Sequence, residues 1–177
     1  MFEETIKIPK DRVAVLIGKE GRIKKRIEKL TNTNLKIDSK EGAVDIMSED
    51  SLDLFNAKPI IRAVARGFNP KIAEQLTNED NCLEVIDLNN YAKHSKRKMM
   101  RIKSRCIGKE GKAKAMIEDL TKTDICVYGK TISIIGNIEN VNIAKKAIDS
   151  LLMGSKHGNV YAQISRRKNE LKRELSL

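Results

Sequence analysis

Apolar and polar positions change period along the chain, and the changes mark out its elements. Thr5-Ile6-Lys7-Ile8 alternates like a half-buried strand, and Pro9 ends it. Asp11 suits a helix N-cap, and Arg12 to Ile17 reads as a short helix. Gly18 to Gly21 breaks that helix. The next segment carries Ile23, Ile27 and Leu30 on one face and Arg22, Lys25, Arg26 and Lys29 on the other, the pattern of an amphipathic helix. Leu35 and Ile37 alternate as a strand, Ser39 to Gly42 forms a turn, and Val44 and Ile46 make the next strand. Ser51 to Arg66 has a helical period, within which Pro59 should force a kink or a new start. The order is strand, helix, helix, strand, strand, helix.

Further on, the order recurs. Leu83 to Leu88 reads as a strand, Ser95 to Ile107 as a strongly basic helix, and Lys112 to Leu120 as a second helix with Ala113, Ile117 and Leu120 inward. Ile125 to Tyr128 and Thr131 to Ile135 form a hairpin about Gly129-Lys130, and Val141 to Leu152 is a closing helix. A last amphipathic helix sets Tyr161, Ile164, Leu171 and Leu175 against Arg166, Arg167, Lys168, Lys172 and Arg173.

The two halves share residues as well as order. Ile17-Gly18-Lys19-Glu20-Gly21 returns as Ile107-Gly108-Lys109-Glu110-Gly111, an offset of 90 positions. The same ungapped offset carries Lys24 onto Lys114, Ile27 onto Ile117, Glu28 onto Glu118, Leu30 onto Leu120, Thr31 onto Thr121 and Thr33 onto Thr123. Two homologous modules in tandem explain this. We place them at residues 1–68 and 82–177, the second with a C-terminal helical extension, around a linker at 69–81 with a short helix near Lys71 to Leu76.

The 177-residue chain is 40% hydrophobic, enough to build cores, and 33% charged, with a formal net charge of +11. Such an excess favours a polyanionic partner. It is unevenly placed. Residues 1–80 hold 15 Lys+Arg against 14 Asp+Glu, and residues 81–177 hold 20 against 10. Much of the surplus crowds ahead of the second glycine loop, as Lys96, Arg97, Lys98, Arg101, Lys103, Arg105 and Lys109. A charge run is usually a solvated face; this one feeds into a phosphate-binding loop.

A Gly-x-x-Gly turn between helices has a physical use. Glycine permits the sharp turn and leaves no Cβ to block a phosphate. The following helix directs free N–H groups and its positive end at the same place. A single such motif is a weak signal, but here it occurs twice in the same order of elements. Glu20 and Glu110 go against the scheme, since a basic or small residue would help a phosphate more; each faces solvent or pairs with a neighbouring cation. The candidate RNA-binding residues are therefore Ile17, Gly18, Lys19, Glu20, Gly21, Arg22 and Lys25 in the first module. In the second they are Arg101, Lys103, Arg105, Ile107, Gly108, Lys109, Glu110, Gly111 and Lys112.

The two-helix, three-strand order around Ile-Gly-x-x-Gly resembles a type I K-homology (KH) domain. The resemblance implies an α/β (α+β) fold of two tandem type I KH domains, each a three-stranded sheet with three helices, plus a C-terminal helix. It also implies a groove for about four unpaired nucleotides. Ala65-Arg66-Gly67-Phe68-Asn69-Pro70, Leu83 to Leu88 and the tail around Gly154 to Tyr161 extend the likeness over nearly the whole chain. Together they resemble the archaeal "partner of Nob", or Dim-two-type, KH proteins. That resemblance implies binding at the 3′ end of small-subunit ribosomal RNA (rRNA) during maturation, with a Nob-type endonuclease as partner.

Other chemistry finds little support. Aromatics are 3%, which argues against a base-stacking RNA-recognition sheet. Cys82, Cys106 and Cys126 lack the close pairing of a zinc site; Cys106 and Cys126 read as small core residues, and His94 and His157 as surface residues. Scattered carboxylates do not make a nuclease, and Glu28 and Glu118 read as i,i+4 partners of Lys24 and Lys114. Phe55, Phe68 and Tyr161 are expected mainly in the core. The expectation is a non-enzyme without cofactor or metal, soluble and cytoplasmic, free of disulfides and membrane spans. Two alternatives stay open: a protein-interaction scaffold with incidental RNA contact, and a KH factor of translation or RNA decay.

Overall fold

The computed structural model describes residues 1–174, which divide into two units at Asn81/Cys82. In the first, strand β1 (Phe2–Lys7) leads into helix α1 (Lys10–Ile17), then α2 (Arg22–Thr31), strands β2 (Asn34–Asp38) and β3 (Ala43–Ser48), and α3 (Ser51–Ala65). The sheet order is β1-β3-β2, antiparallel, with Ile6 and Ile37 both opposite Val44. Alternation therefore puts Leu35, Val44 and Ile46 on one face, where Val13, Leu16, Ile27, Ile60, Ile61 and Val64 complete a buried core.

The second unit begins with β4 (Asn81–Asp87) and a short α5 (Asn89–Ala92). The basic α6 (Lys96–Ile107) and α7 (Lys112–Thr121) follow, then β5 (Asp124–Tyr128), β6 (Thr131–Asn137) and α8 (Ile138–Leu152). Its sheet repeats the topology as β4-β6-β5. Helix α9 (His157–Glu174) is the added piece and packs on α7 and α8 through Val160 and Ile164. Leu175, expected on its apolar side, lies outside the described residues. Caps set several boundaries: Asp50, Ser95 and Asn137 each accept a first-turn N–H of α3, α6 and α8, worth about 1 kcal/mol apiece.

Several local expectations need correction. The first helix starts at Lys10, one residue before Asp11; Pro9 occupies its N-cap, and Arg12 N–H donates to the Pro9 carbonyl. Pro59 neither kinks α3 into two nor restarts it. The hydrogen bond it forgoes would go to the Phe55 carbonyl, on the helix face where Phe55 is 70% exposed and water can substitute. Phe55 is thus not a core residue, whereas Phe68 is buried and Tyr161 half-buried. Leu30 is 47% exposed, although its counterpart Leu120 packs against the second core. Helix α9 lies against α7, and Lys168 Nζ donates to the Leu120 carbonyl at 2.7 Å; the first unit has no such helix.

Residues 69–81 do more than connect. Asn69 caps α4 (Pro70–Ala73), a 3₁₀ turn follows over Glu74–Thr77, and both pack on α3, with Glu74 paired to Arg26 at 2.6 Å. The segment groups with the first unit.

Candidate nucleic-acid interface

Each unit places its Gly-Lys-Glu-Gly loop between its first two long helices. In the first, α1 stops at Gly18 (φ 70°, ψ 175°), whose N–H donates to the Ala14 carbonyl; Glu20 (φ 54°) and Gly21 (φ 72°) are left-handed, and α2 starts at Arg22. In the second the corresponding angles are φ 75°, ψ 176° at Gly108, φ 53° at Glu110 and φ 77° at Gly111. Two chain segments with different flanking helices thus reach the same local conformation.

The two glycines of each loop do different jobs. A Cβ on Gly18 would stand 2.3 Å from Ile23 Cγ1, and one on Gly108 would stand 2.6 Å from Ala113 Cβ and 2.7 Å from its backbone nitrogen. These glycines let the following helix close onto the loop. Gly21 and Gly111 have nothing within 4 Å of a Cβ position. Their bare faces open to solvent at the helix N-terminus, where a ligand can approach the backbone. Neither α2 nor α7 has a side-chain cap or an acidic residue in its first turn. The first N–H groups and the positive helix end are left for an anion.

Lys19 and Lys109 are exposed at the loop. Each loop glutamate turns to the first residue of the next helix: Glu20 to Arg22 at 2.8 Å, Glu110 to Lys112 at 3.7 Å. These are exposed pairs and hold their cations loosely. Ile17 and Ile107 are half-buried at the loop entrance, and Lys25 is exposed on α2.

The other repeated residues build the turn after the second helix. Glu28 Oε1 accepts from Leu35 N–H at 2.8 Å and lies 3.8 Å from Lys24; Glu118 Oε1 accepts from Ile125 N–H at 2.7 Å and pairs with Lys114 at 2.8 Å. Buried Thr31 donates to the Ile27 carbonyl and meets Thr33, as Thr121 donates to Ile117 and meets Thr123. This network ties the loop-bearing helix to an edge strand, β2 or β5, whose outer edge is unpaired in its sheet and so keeps backbone donors and acceptors available.

The cations of α6 divide between two flanks. Lys103 Nζ donates to the Gly129 carbonyl in the β5–β6 turn, on the flank that also carries Ile107. Arg105 points the other way. Its Nε donates to the Leu151 carbonyl at 3.2 Å and its Nη2 to Ser155 at 2.6 Å, so it closes the end of α8. Arg12 does the same in the first unit, donating to Val64 at 2.8 Å and Phe68 at 2.7 Å at the end of α3. Arg105 is therefore first a structural clamp, and Arg101 shares its flank, away from the loop. His157, expected as a plain surface residue, is half-buried, and its Nε2 meets the Arg105 carbonyl at 2.9 Å. Burial pushes the Cys106 thiol up to about 12, so it is a protonated core group at neutral pH. No group of three or more His, Cys, Asp or Glu among the described residues could hold a metal ion. No helix among them is long and apolar enough to cross a membrane.

Two helix–GxxG–helix units, each backed by a three-stranded sheet, define a protein of tandem type I KH domains. Residues 82–169 match the eukaryotic type KH domain (KH-domain type I), and residues 3–62 match the KH domain. The chain is 46% identical to a KH domain-containing protein of Methanocaldococcus jannaschii, spanning 96% of this chain and 76% of that protein. It is 26% identical to the pre-rRNA-processing protein PNO1 of Coccidioides immitis, over 90% of this chain and 64% of that one. Among solved structures it is similar to the Dim2p chain in an a/eIF2alpha–aDim2p–rRNA complex from Pyrococcus horikoshii OT3. The TM-score is 0.87 and the identity 45%, covering 96% of this chain and 95% of that one. The chain belongs to the Dim2/PNO1-type family of KH proteins.

Proposed function

We propose that this protein binds single-stranded RNA with its two Gly-Lys-Glu-Gly loops and acts on the 3′ region of small-subunit rRNA during ribosome maturation. The observation that carries the reading is the bare second glycine of each loop, set at an uncapped helix N-terminus beside an exposed lysine. A backbone phosphate would sit on Gly21 or Gly111, held by first-turn N–H groups and by Lys19 or Lys109. Bases would then lie toward Ile17 or Ile107 and the free edge of β2 or β5, as the KH mode of recognition requires. The rRNA in the Pyrococcus complex and the processing role named for the Coccidioides relative support this target.

The second domain supplies most of the affinity, because its loop stands in the basic half of the chain. The protein itself does not cut RNA; cleavage falls to a Nob-type endonuclease that it positions. A cytoplasmic site of action fits its three free cysteines. Filter binding of a short single-stranded rRNA 3′ fragment tests the core of the reading, with affinity falling as salt rises. Salt-independent or absent binding overturns it. The same fragment should stay intact with and without divalent metal, and adding the nuclease should change its rate or site of cutting.

A further inference from the structure

Helix α6 has a second polar flank that the loop does not use. At about 100° per residue, Lys98, Arg101 and Arg105 form a stripe roughly 170° around the helix from Lys103 and Ile107. The buried Met99, Ile102 and Cys106 lie between the two stripes. On the Lys98–Arg101–Arg105 side is a cavity of about 620 Å³. Tyr91 stands on one wall, and Leu152 and Met153 give it an apolar side where α8 ends. No loop residue from Ile107 to Lys112 lines it, and neither does any carboxylate.

The electrostatics of this cavity are arranged for an anion. The end of a helix normally presents negative carbonyls, but Arg105 already occupies those of Leu151 and Ser155. The nearby acid, Asp149, is engaged by the Tyr91 hydroxyl at 2.7 Å. Among the described residues, Lys98 and Arg101 have no side-chain partner, and Met153 is 81% exposed. The volume lies within the range of pockets that hold small ligands and exceeds what a bare phosphate needs. A lining that combines an aromatic ring, apolar side chains and cations is suited to a base joined to a phosphate. At the 90-residue offset the first unit has Ile8, Asp11 and Val15 in place of the three cations.

We propose that this cavity is a second nucleotide-binding site, separate from the Gly-Lys-Glu-Gly groove. Lys98 and Arg101 take the phosphate, and Tyr91, Leu152 and Met153 face the base. The nucleotide is either part of an RNA strand already held in the groove, which rests on the function proposed above, or a free nucleotide.

The test uses the full chain and the double variant Lys98→Gln/Arg101→Gln, which leaves the Arg105 clamp intact. Two single-stranded RNAs, of four and twelve nucleotides, separate the groove from its extension, and 5′-AMP probes the cavity alone. AMP binding is followed through the Met153 methyl and Tyr91 ring NMR signals. For an RNA source, the variant weakens the long RNA by about tenfold and the short one by less than about twofold. For a free nucleotide, both RNAs bind as before while the AMP-induced shifts vanish in the variant. Equal losses for the two RNAs would show that the cations only add to the general field, and overturn the proposal. So would unchanged RNA affinities with no AMP response in the parent protein. If the parent binds AMP here but neither RNA, the cavity stands and the groove reading fails.

Discussion

The two loops have the same four residues and backbone angles that agree within a few degrees, yet they stand in different surroundings. Helix α1 has eight residues and a first turn containing Asp11; α6 has twelve, starts after Ser95 and is basic throughout. Where α6 has Lys103 reaching the β5–β6 turn, α1 has the buried Val13. The second unit alone has α9 braced against its loop-bearing helix. Loop geometry and electrostatic field are therefore set by different residues. A duplicated module can keep the first while changing the second.

The sharpest break in this comparison should come from the first glycine of each loop. Gly108→Ala combines a left-handed alanine with a Cβ pressed on the Ala113 backbone, and should cost about 3 kcal/mol of stability. Gly18→Ala should cost less, since the nearest backbone atom to its Cβ, Ile23 N at 3.1 Å, stands farther off than Ala113 N at 2.7 Å, although the Ile23 side chain must also shift. Denaturant unfolding measures both, and equal costs would mean that the two helix junctions are equally rigid. Gly21→Ala and Gly111→Ala meet no neighbouring atom but still hold alanine at positive φ, so each should cost about 1 kcal/mol of stability and should weaken RNA binding as well.

Next comes the loop charge. Lys109→Asp with Glu110→Asp replaces the loop cation by a second carboxylate beside the one at position 110, at the proposed phosphate seat, and keeps both glycines. The expected cost is on the order of 2 kcal/mol in RNA affinity. The matched pair Lys19→Asp with Glu20→Asp should cost clearly less. Fluorescence anisotropy at two salt concentrations decides; a larger loss in the first domain would reverse the roles.

A smaller difference is expected at the repeated glutamates. Glu118→Gln gives up a 2.8 Å ion pair and weakens its bond to Ile125 N–H, for about 1 kcal/mol. Glu28→Gln loses a longer pair, at 3.8 Å, and should cost less. Thermal unfolding of the two variants ranks them.

A last difference concerns alkaline pH, to which the units should respond unequally. Every Cys and Tyr lies in residues 82–177. Burial, then the hydrogen bond to Asp149, pushes Tyr91 up from 10.0 to about 12, and burial pushes Cys106 up from 9.0 to about 12. Both folded values exceed the unfolded ones, so this stability is fully present below pH 9 and is lost as pH rises toward 12. Hydrogen exchange across that range should show protection falling in 82–177 before 1–81. The reverse order would assign the alkaline sensitivity to other groups.

Much of this was legible in the chain itself. Period, turn residues and an ungapped repeat encode local structure, so the two modules, their element order and both glycine loops are written in the sequence. The Glu28–Lys24 and Glu118–Lys114 pairs were equally legible, because i,i+4 contacts need only a helix. Partners distant in sequence were not. Arg105 looked like one more cation in a basic run, but its guanidinium is fixed by carbonyls 46 and 50 residues away. Leu30 and Leu120 occupy the same repeat position, and only the docking of α9 makes one half-buried and leaves the other exposed. The glycines within each loop read alike, and only tertiary packing assigns one to a close helix approach and leaves the other on an open face. Backbone conformation is largely dictated by neighbouring residues. Whether a side chain clamps a helix end, lines a cavity or meets a ligand depends on which distant segment folds against it.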